Sequence, residues 1–346
     1  MPAPEPAHAW MGGRIVAWND CVLHGRTQSA FWGANVFEGI RGYWCPDAGR
    51  LNLFRLDDHL RRLRQSMRAV RMAVPYSDAE LAGACADLCR ANGFRHDVHL
   101  VIVAYFGMGP GFDTLGLTDE TGVYITGVAK PRSPGFEHGI DVAISSWRRI
   151  GDDTMPPRIK TGANYHNSRL AHQEAVRNGY ATALILNQRA TVAESPGANV
   201  AMVRDGDFLA PPATSGALEG ITLATVAGLA QDEVGLRFCR REIERTELYV
   251  ADEVLLCGTL AEVLPVVAVD GLPVGNGVPG PVTRWLQALY DGMVRAAGEA
   301  GPWITPVGVP GPEPACEEPA CGPNPSRAES SGTGWARVIA QLERRP

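Results

Sequence analysis

The sequence predicts an α/β fold of the α+β type, arranged as two α/β domains with one cleft between them. Three observations carry this. At 346 residues the chain exceeds the roughly 100 to 200 residues usual for one domain. Apolar, β-branched runs alternate with helical patterns along most of it. A connector rich in proline and glycine, Lys130-Pro131-Arg132-Ser133-Pro134-Gly135, interrupts the alternation. The expected boundaries are a tail over 1–8, a first domain over 9–129, a connector over 130–138, a second domain over 139–299 and a Pro/Gly-rich tail over 300–346.

In the first domain, residues 9–18 read as a hairpin turning at Gly12-Gly13, and residues 34–43 and 50–56 as two more strands. Asp57 is placed to cap a helix over 58–70, where Leu60, Leu63, Met67 and Val70 recur at spacings of three and four. Residues 77–91 repeat the helical pattern behind a Ser/Asp cap. Residues 98–106 and 122–128 are apolar and β-branched, as buried strands are. The second domain is expected to hold strands at 141–146, 181–187, 199–204, 208–210, 253–257 and 265–269, and helices near 163–178, 221–235 and 280–297. Beyond residue 300 the composition of Pro, Gly, Ser and Glu predicts no independent fold, apart from a short amphipathic end at 335–342.

A hydrophobic fraction of 45% and a charged fraction of 20% suffice for a sizeable core. The net charge of -6 supplies no basic field for a phosphate backbone, so small metabolites rather than nucleic acid are the expected partners. Residues 1–9 lack the basic and apolar regions of a secretory leader, and no run of 18 apolar residues occurs. A cytoplasmic protein without membrane contact is expected. The eight cysteines show no Cys-x2-Cys spacing, so no metal site is expected. Cys85 and Cys89, four apart on a helix, read as core residues.

Lysine is the informative residue. Of 32 basic residues only Lys130 and Lys160 are lysine. A guanidinium stays protonated at neutral pH and cannot act as a nucleophile, so a lysine kept in such a chain points to amine chemistry. Lys130 lies in the connector and is read as incidental. Lys160 stands between Pro156-Pro157 and a helix start. Glu194 lies at a turn between two strand-like runs, and Gly220-Ile221-Thr222 opens a helix whose free N–H groups favour phosphate. An amine, a carboxylate for a ring nitrogen and a phosphate cradle are what pyridoxal 5'-phosphate (PLP) requires.

Five segments occur in order: Asn35-Val36-Phe37-Glu38-Gly39-Ile40-Arg41, residues 160–165, residues 194–199, residues 217–222 and Gly258-Thr259-Leu260-Ala261-Glu262. Together they resemble the motifs of the branched-chain amino acid aminotransferases, a fold-type IV PLP group, over about residues 9–297. The resemblance implies that Lys160 is the catalytic residue, forming the Schiff base and moving the substrate proton. It implies that Glu194 pairs with the pyridine nitrogen and Tyr165 with the ring hydroxyl. It assigns the phosphate to Arg62, Gly220, Ile221, Thr222 and Thr259, and the substrate pocket to Trp32, Phe37, Gly39, Arg41, Tyr165, Thr259 and Leu260. A homodimer is implied as well. The family's Tyr-x-Arg on a first-domain strand is absent, since residues 95–100 read Arg95-His96-Asp97-Val98-His99-Leu100. The expected reaction is amino transfer between a branched-chain or glutamate-like amino acid and a 2-oxo acid or related carbonyl compound, with specialised substrates left open.

Two other readings remain. A PLP lyase of the aminodeoxychorismate lyase kind would share the cofactor, although the Phe37–Arg41 motif favours transamination. An NAD-dependent oxidoreductase would use Gly107-Met108-Gly109-Pro110-Gly111 as a dinucleotide loop, although no acidic residue stands about 20 residues on.

Overall fold

Gly12 and Gly13 take left-handed backbone conformations, with φ of 59° and 91°, and turn the chain between β1 (His8–Met11) and β2 (Arg14–Ala17). The computed structural model describes residues 5–298 and 300–309. A short helix, α1 (Gln28–Trp32), leads into β3 (Asn35–Cys45) and β4 (Arg50–Phe54). Helices α2 (Leu56–Ala69) and α3 (Asp78–Ala91) follow, then β5 (Val98–Phe106) and β6 (Thr121–Ala129). The second half contains β7 (Ile140–Arg148), α4 (Gly162–Arg177), β8 (Thr182–Leu186), β9 (Val192–Glu194), β10 (Asn199–Arg204) and β11 (Asp207–Ala210). It continues through α5 (Ile221–Asp232), β12 (Arg237–Arg240), β13 (Glu253–Gly258), β14 (Glu262–Val269), β15 (Leu272–Pro273), α6 (Pro281–Val294) and β16 (Ile304–Gly308).

Two sheets result. The first is antiparallel throughout, in the order β16-β4-β3-β5-β6-β1-β2. Helices α2 and α3 cover it, with Leu60, Leu63, Leu81 and Leu88 packed against Ile40, Leu100 and Ile102. Each fully buried leucine contributes about 1.5 to 3 kcal/mol. Cys85 and Cys89 belong to this core, and burial pushes the Cys89 thiol up to about 12. A capping box starts α3: Ser77 Oγ accepts from Glu80 N at 3.2 Å, and the Glu80 carboxylate accepts from Ser77 N at 2.7 Å.

The second sheet is mixed, in the order β12-β11-β10-β13-β14-β7-β8-β9 with β15 beside β14. Its β14-β7-β8 and β11-β12 pairs are parallel. Helices α5 and α6 pack on one face, where Leu223, Val226, Leu286 and Tyr290 meet Val203, Phe208 and Leu255. Tyr43 and Phe54 of the first sheet join this cluster, so α6 binds the two sheets together.

Two expectations need correction. Asp57 does not cap α2. Arg55 is the N-cap, in a left-handed conformation with φ of 53°, and Asp57 falls within the first turn, where a carboxylate meets the helix dipole. The segment after residue 300 is not wholly without structure, because β16 pairs with β4 at a sheet edge and buries Val307. Pro306 hid this strand from a composition reading; an edge position tolerates its missing N–H. The 335–342 segment, Cys316 and Cys321 lie outside the described residues. Also unforeseen were α1, β9, β12 and β15, all of five residues or fewer.

Candidate active site

Between the sheets lies a cavity of about 190 Å³, and Lys160 reaches into it. The lysine is outside any regular element, yet its backbone is fixed. Phe37 N donates to Lys160 O at 2.9 Å, Lys160 N donates to Ser66 Oγ at 3.2 Å, and Thr161 forms a bridge with Val36. Asn35 adds an acceptor at each end, its carbonyl taking Thr161 Oγ1 at 2.6 Å and its side chain taking Gly162 N at 3.1 Å. The segment is thereby sewn to β3, and its amine is left free to project.

That amine donates to the Tyr165 hydroxyl at 2.5 Å. It also lies 4.7 Å from the Phe37 ring centroid and 4.9 Å from that of Tyr165, and the two rings pack edge to face. Tyr165 sits one turn into α4, which brings its hydroxyl back over Lys160.

Glu194 ends β9 and is buried in the cavity wall rather than solvated at a turn. Arg149 Nη2 stands 2.8 Å from one oxygen; Leu218 N at 2.9 Å and Asn199 Nδ2 at 3.1 Å donate to the other. Burial raises the carboxyl above its ordinary value, opposed by the charge of Arg149 and the Leu218 hydrogen bond. Asn199 also donates to Leu218 O at 2.8 Å, which fixes the segment ahead of α5.

Helix α5 opens with Gly220 as N-cap and no side-chain cap, so its first N–H groups face the cavity uncompeted. A Cβ at Gly220 would stand 1.7 Å from Asn199 Oδ1, so only glycine fits. Arg62 comes from α2 and completes this end. Its Nε and Nη2 donate to Glu38 at 2.7 and 2.8 Å, and its Nη1 donates to Glu219 O at 2.8 Å. Burial alone would raise the Glu38 carboxyl, but Arg62 and His59 hydrogen bonds and charge outweigh it and hold it at about 2. Thr259 Oγ1 donates to Gly39 O at 3.2 Å, joining the β13–β14 turn to β3.

The sequence candidates Phe37, Gly39, Arg62, Lys160, Tyr165, Glu194, Gly220, Ile221, Thr222, Thr259 and Leu260 all line this cavity. Trp32 and Arg41 do not. Trp32 is half exposed at the end of α1, packed on Phe31, because Gly33 ends the helix with its last side chain turned outward. Arg41 is sealed behind the wall, 3.5 Å from Asp97 and 3.3 Å from Glu262. The Gly107–Gly111 stretch leads into a single 3-10 turn, Pro110–Phe112, instead of the helix a dinucleotide loop requires. Sequence reasoning missed Glu38, Arg149, Asn199 and His99 as site residues. Glu38 and Asn199 stood inside quoted motifs; Arg149 and His99 carried no local signal.

An amine beside a phenol, a buried carboxylate and an uncapped helix start with an arginine line one cavity, and these are the groups a phosphate-bearing aldehyde cofactor requires. Residues 35–269 match the amino-transferase class IV family, and the chain belongs to that family. The chain is 36% identical to the branched-chain-amino-acid aminotransferase of Salmonella typhimurium, over 89% of this chain and 99% of that one. It is also 36% identical to a probable branched-chain-amino-acid aminotransferase of Aquifex aeolicus, over 86% and 96%. The PLP form of the Thermobaculum terrenum branched-chain amino acid aminotransferase superposes with a TM-score of 0.81 at 40% identity, covering 88% of this chain and 99% of that one. The fold is therefore fold-type IV, the cofactor is PLP and the activity is transamination. No helix among the described residues is long and apolar enough to cross a membrane.

Proposed function

We propose that this enzyme transfers the amino group of branched-chain L-amino acids to 2-oxoglutarate or a related 2-oxo acid, working as a cytoplasmic homodimer. The observation that carries the site assignment is the Lys160–Tyr165 contact of 2.5 Å in a cavity that also holds Glu194 and the α5 N-terminus. PLP, when bound, supplies a carbonyl that accepts the amino group and a ring that draws electrons from the substrate Cα–H bond.

Each protein group then has a task. Lys160 is the amine that would hold the cofactor and, as a free amine, would move the proton at the substrate Cα. The Tyr165 hydroxyl, which holds the lysine amine close by, would hydrogen-bond the ring oxygen. Glu194, clamped by Arg149 and Asn199, would face the ring nitrogen and favour its protonated form. Arg62, aimed by Glu38, would receive the phosphate together with the N–H groups of Ile221 and Thr222 and the hydroxyls of Thr222 and Thr259. Phe37 and Leu260 give the substrate side an apolar lining that suits an aliphatic side chain. The dimer is supported by an exposed apolar patch. Phe31 and Trp32 on α1 and Phe112, Leu115 and Leu117 beyond β5 are all exposed, and Gln28 Nε2, donating to Gly116 O at 2.7 Å, ties the two segments together.

Protein purified with PLP is expected to show a visible absorbance band that borohydride bleaches and that Lys160→Ala lacks. Leucine, isoleucine or valine with 2-oxoglutarate should yield glutamate. Turnover of none of the three would overturn the branched-chain assignment.

A further inference from the structure

His99 stands across the β3–β5 ladder from Arg41, and its ring leans over Gly39 into the cavity wall. The missing Cβ of Gly39 makes this possible, since one would lie 2.6 Å from His99 Nε2. Thr259 approaches the same place, its hydroxyl bound to Gly39 O. His99, Gly39 and the Thr259–Leu260 turn therefore form one corner of the cavity.

The corner is rich in polar hydrogen that nothing uses. Among the described residues no hydrogen bond engages the His99 ring, and none engages the N–H groups of Thr259 and Leu260. Burial, with Arg41 and Lys160 nearby, lowers His99 to about 4, so the ring is neutral at pH 7 and carries one N–H. The Arg41 guanidinium behind it is paired in charge with Asp97 and Glu262, at 3.5 and 3.3 Å, and makes no hydrogen bond among the described residues. What faces the cavity here is a set of neutral donors suited to an anionic group.

We propose that His99 is a specificity-determining residue that donates a hydrogen bond to the substrate carboxylate, together with the backbone N–H groups of Thr259 and Leu260. This rests on reading the cavity as an amino-acid pocket. Recognition at this corner is by the His99 ring and two backbone N–H groups, in the same cavity as the Lys160 amine.

The test uses full-length holoenzyme and two unreactive probes, 4-methylpentanoate and 4-methylpentanamide, with affinities measured by calorimetry. His99→Ala should weaken the acid roughly tenfold, the worth of one charge-assisted hydrogen bond, and leave the amide within about twofold. His99→Gln, which keeps a donor, should recover most of the loss. KM for leucine should rise in parallel with kcat nearly unchanged, and the cofactor band should stay as in wild type. Equal weakening of acid and amide, no recovery by glutamine, or a wild-type enzyme that ignores the acid would each overturn the proposal. Failure of the transaminase assignment shows separately, as a wild-type band that leucine does not convert to the pyridoxamine form.

Discussion

Arg41 Nη2 lies 3.3 Å from Glu262 Oε1, and each side chain is 1% exposed. The pair is one edge of a closed ring of charge. Glu262 meets Arg132 at 2.9 Å, Arg132 meets Asp291, Asp291 meets Arg295 at 3.0 Å, Arg295 meets Asp97 at 2.6 Å, and Asp97 returns to Arg41 at 3.5 Å. Three cations and three anions cancel. The members come from β3, the segment before β5, the connector, the start of β14 and α6 with its C-terminus, so the ring ties both sheets together behind the substrate corner. This explains why a conspicuous arginine beside the Phe37-Glu38-Gly39 motif never reaches the cavity.

Removing one buried member should be costly, because its partner is left as an uncompensated charge. Glu262→Ala is expected to lower unfolding free energy by about 3 to 5 kcal/mol, read as a shift in urea midpoint at unchanged slope. A loss under about 1 kcal/mol, the scale of a surface pair, would mean that the ring is not a clamp.

Glu38 gives the fold an acid limit. Its folded value of about 2 lies below the unfolded carboxylate value near 4.3, so its stabilisation is present above pH 4.3 and is lost as pH falls towards 2. The shift corresponds to about 3 kcal/mol. Burial lowers His59, so that side chain acts with the same sign at higher pH, its stabilisation fading as pH drops below about 6.5. The Glu38→Gln variant should therefore show a flatter fall of urea midpoint between pH 5 and 2.5. It should also bind PLP more weakly at neutral pH, because Arg62 loses the carboxylate that aims it. A pH profile parallel to wild type would rule out the Arg62–Glu38 pair as the source.

Gly220 tests the phosphate end without touching any charge. A methyl group there collides with Asn199 Oδ1, and Asn199 holds both Glu194 and the Leu218 carbonyl. Gly220→Ala should cost about 1 to 3 kcal/mol of stability by overpacking and raise the PLP dissociation constant by at least tenfold, as one lost anion contact predicts. Fluorescence titration of apoenzyme with PLP reads the second effect. Unaltered affinity would show that the helix start does not hold the phosphate.

Much of this was legible from residues alone because long elements advertise their period. The α2 stripe of Leu60, Leu63 and Met67 and the β5 run of Val98–Phe106 are each set by local pattern. Lys160 was legible for a chemical reason, as a rare lysine in an arginine chain. What stayed hidden depends on partners distant in sequence. Arg149 matters only because Glu194 folds against it, and Arg41 is withdrawn only because Glu262, 221 positions away, meets it there. His99 looked like a gap in a familiar motif, and the register of β3 against β5 is what turns it inward.

The apolar patch on α1 and the loop beyond β5 yields the last prediction. Leu115 and Leu117 are 78% and 97% exposed, an unfavourable placement of apolar surface in water, and they sit beside Phe112 on a loop held by Arg26, just before α1, and by Gln28 at its start. Such a surface is stable in solution when a second copy covers it. Wild-type protein should sediment as a dimer, and replacing Leu115 and Leu117 with aspartate should shift it to monomer while far-ultraviolet circular dichroism stays unchanged. Trp32 lies on the same patch, so the monomeric variant should also lose activity beyond any change in its cofactor band, if the partner's α1 closes the substrate end of the cavity. A wild-type monomer with full activity would remove both the dimer and this role for Trp32.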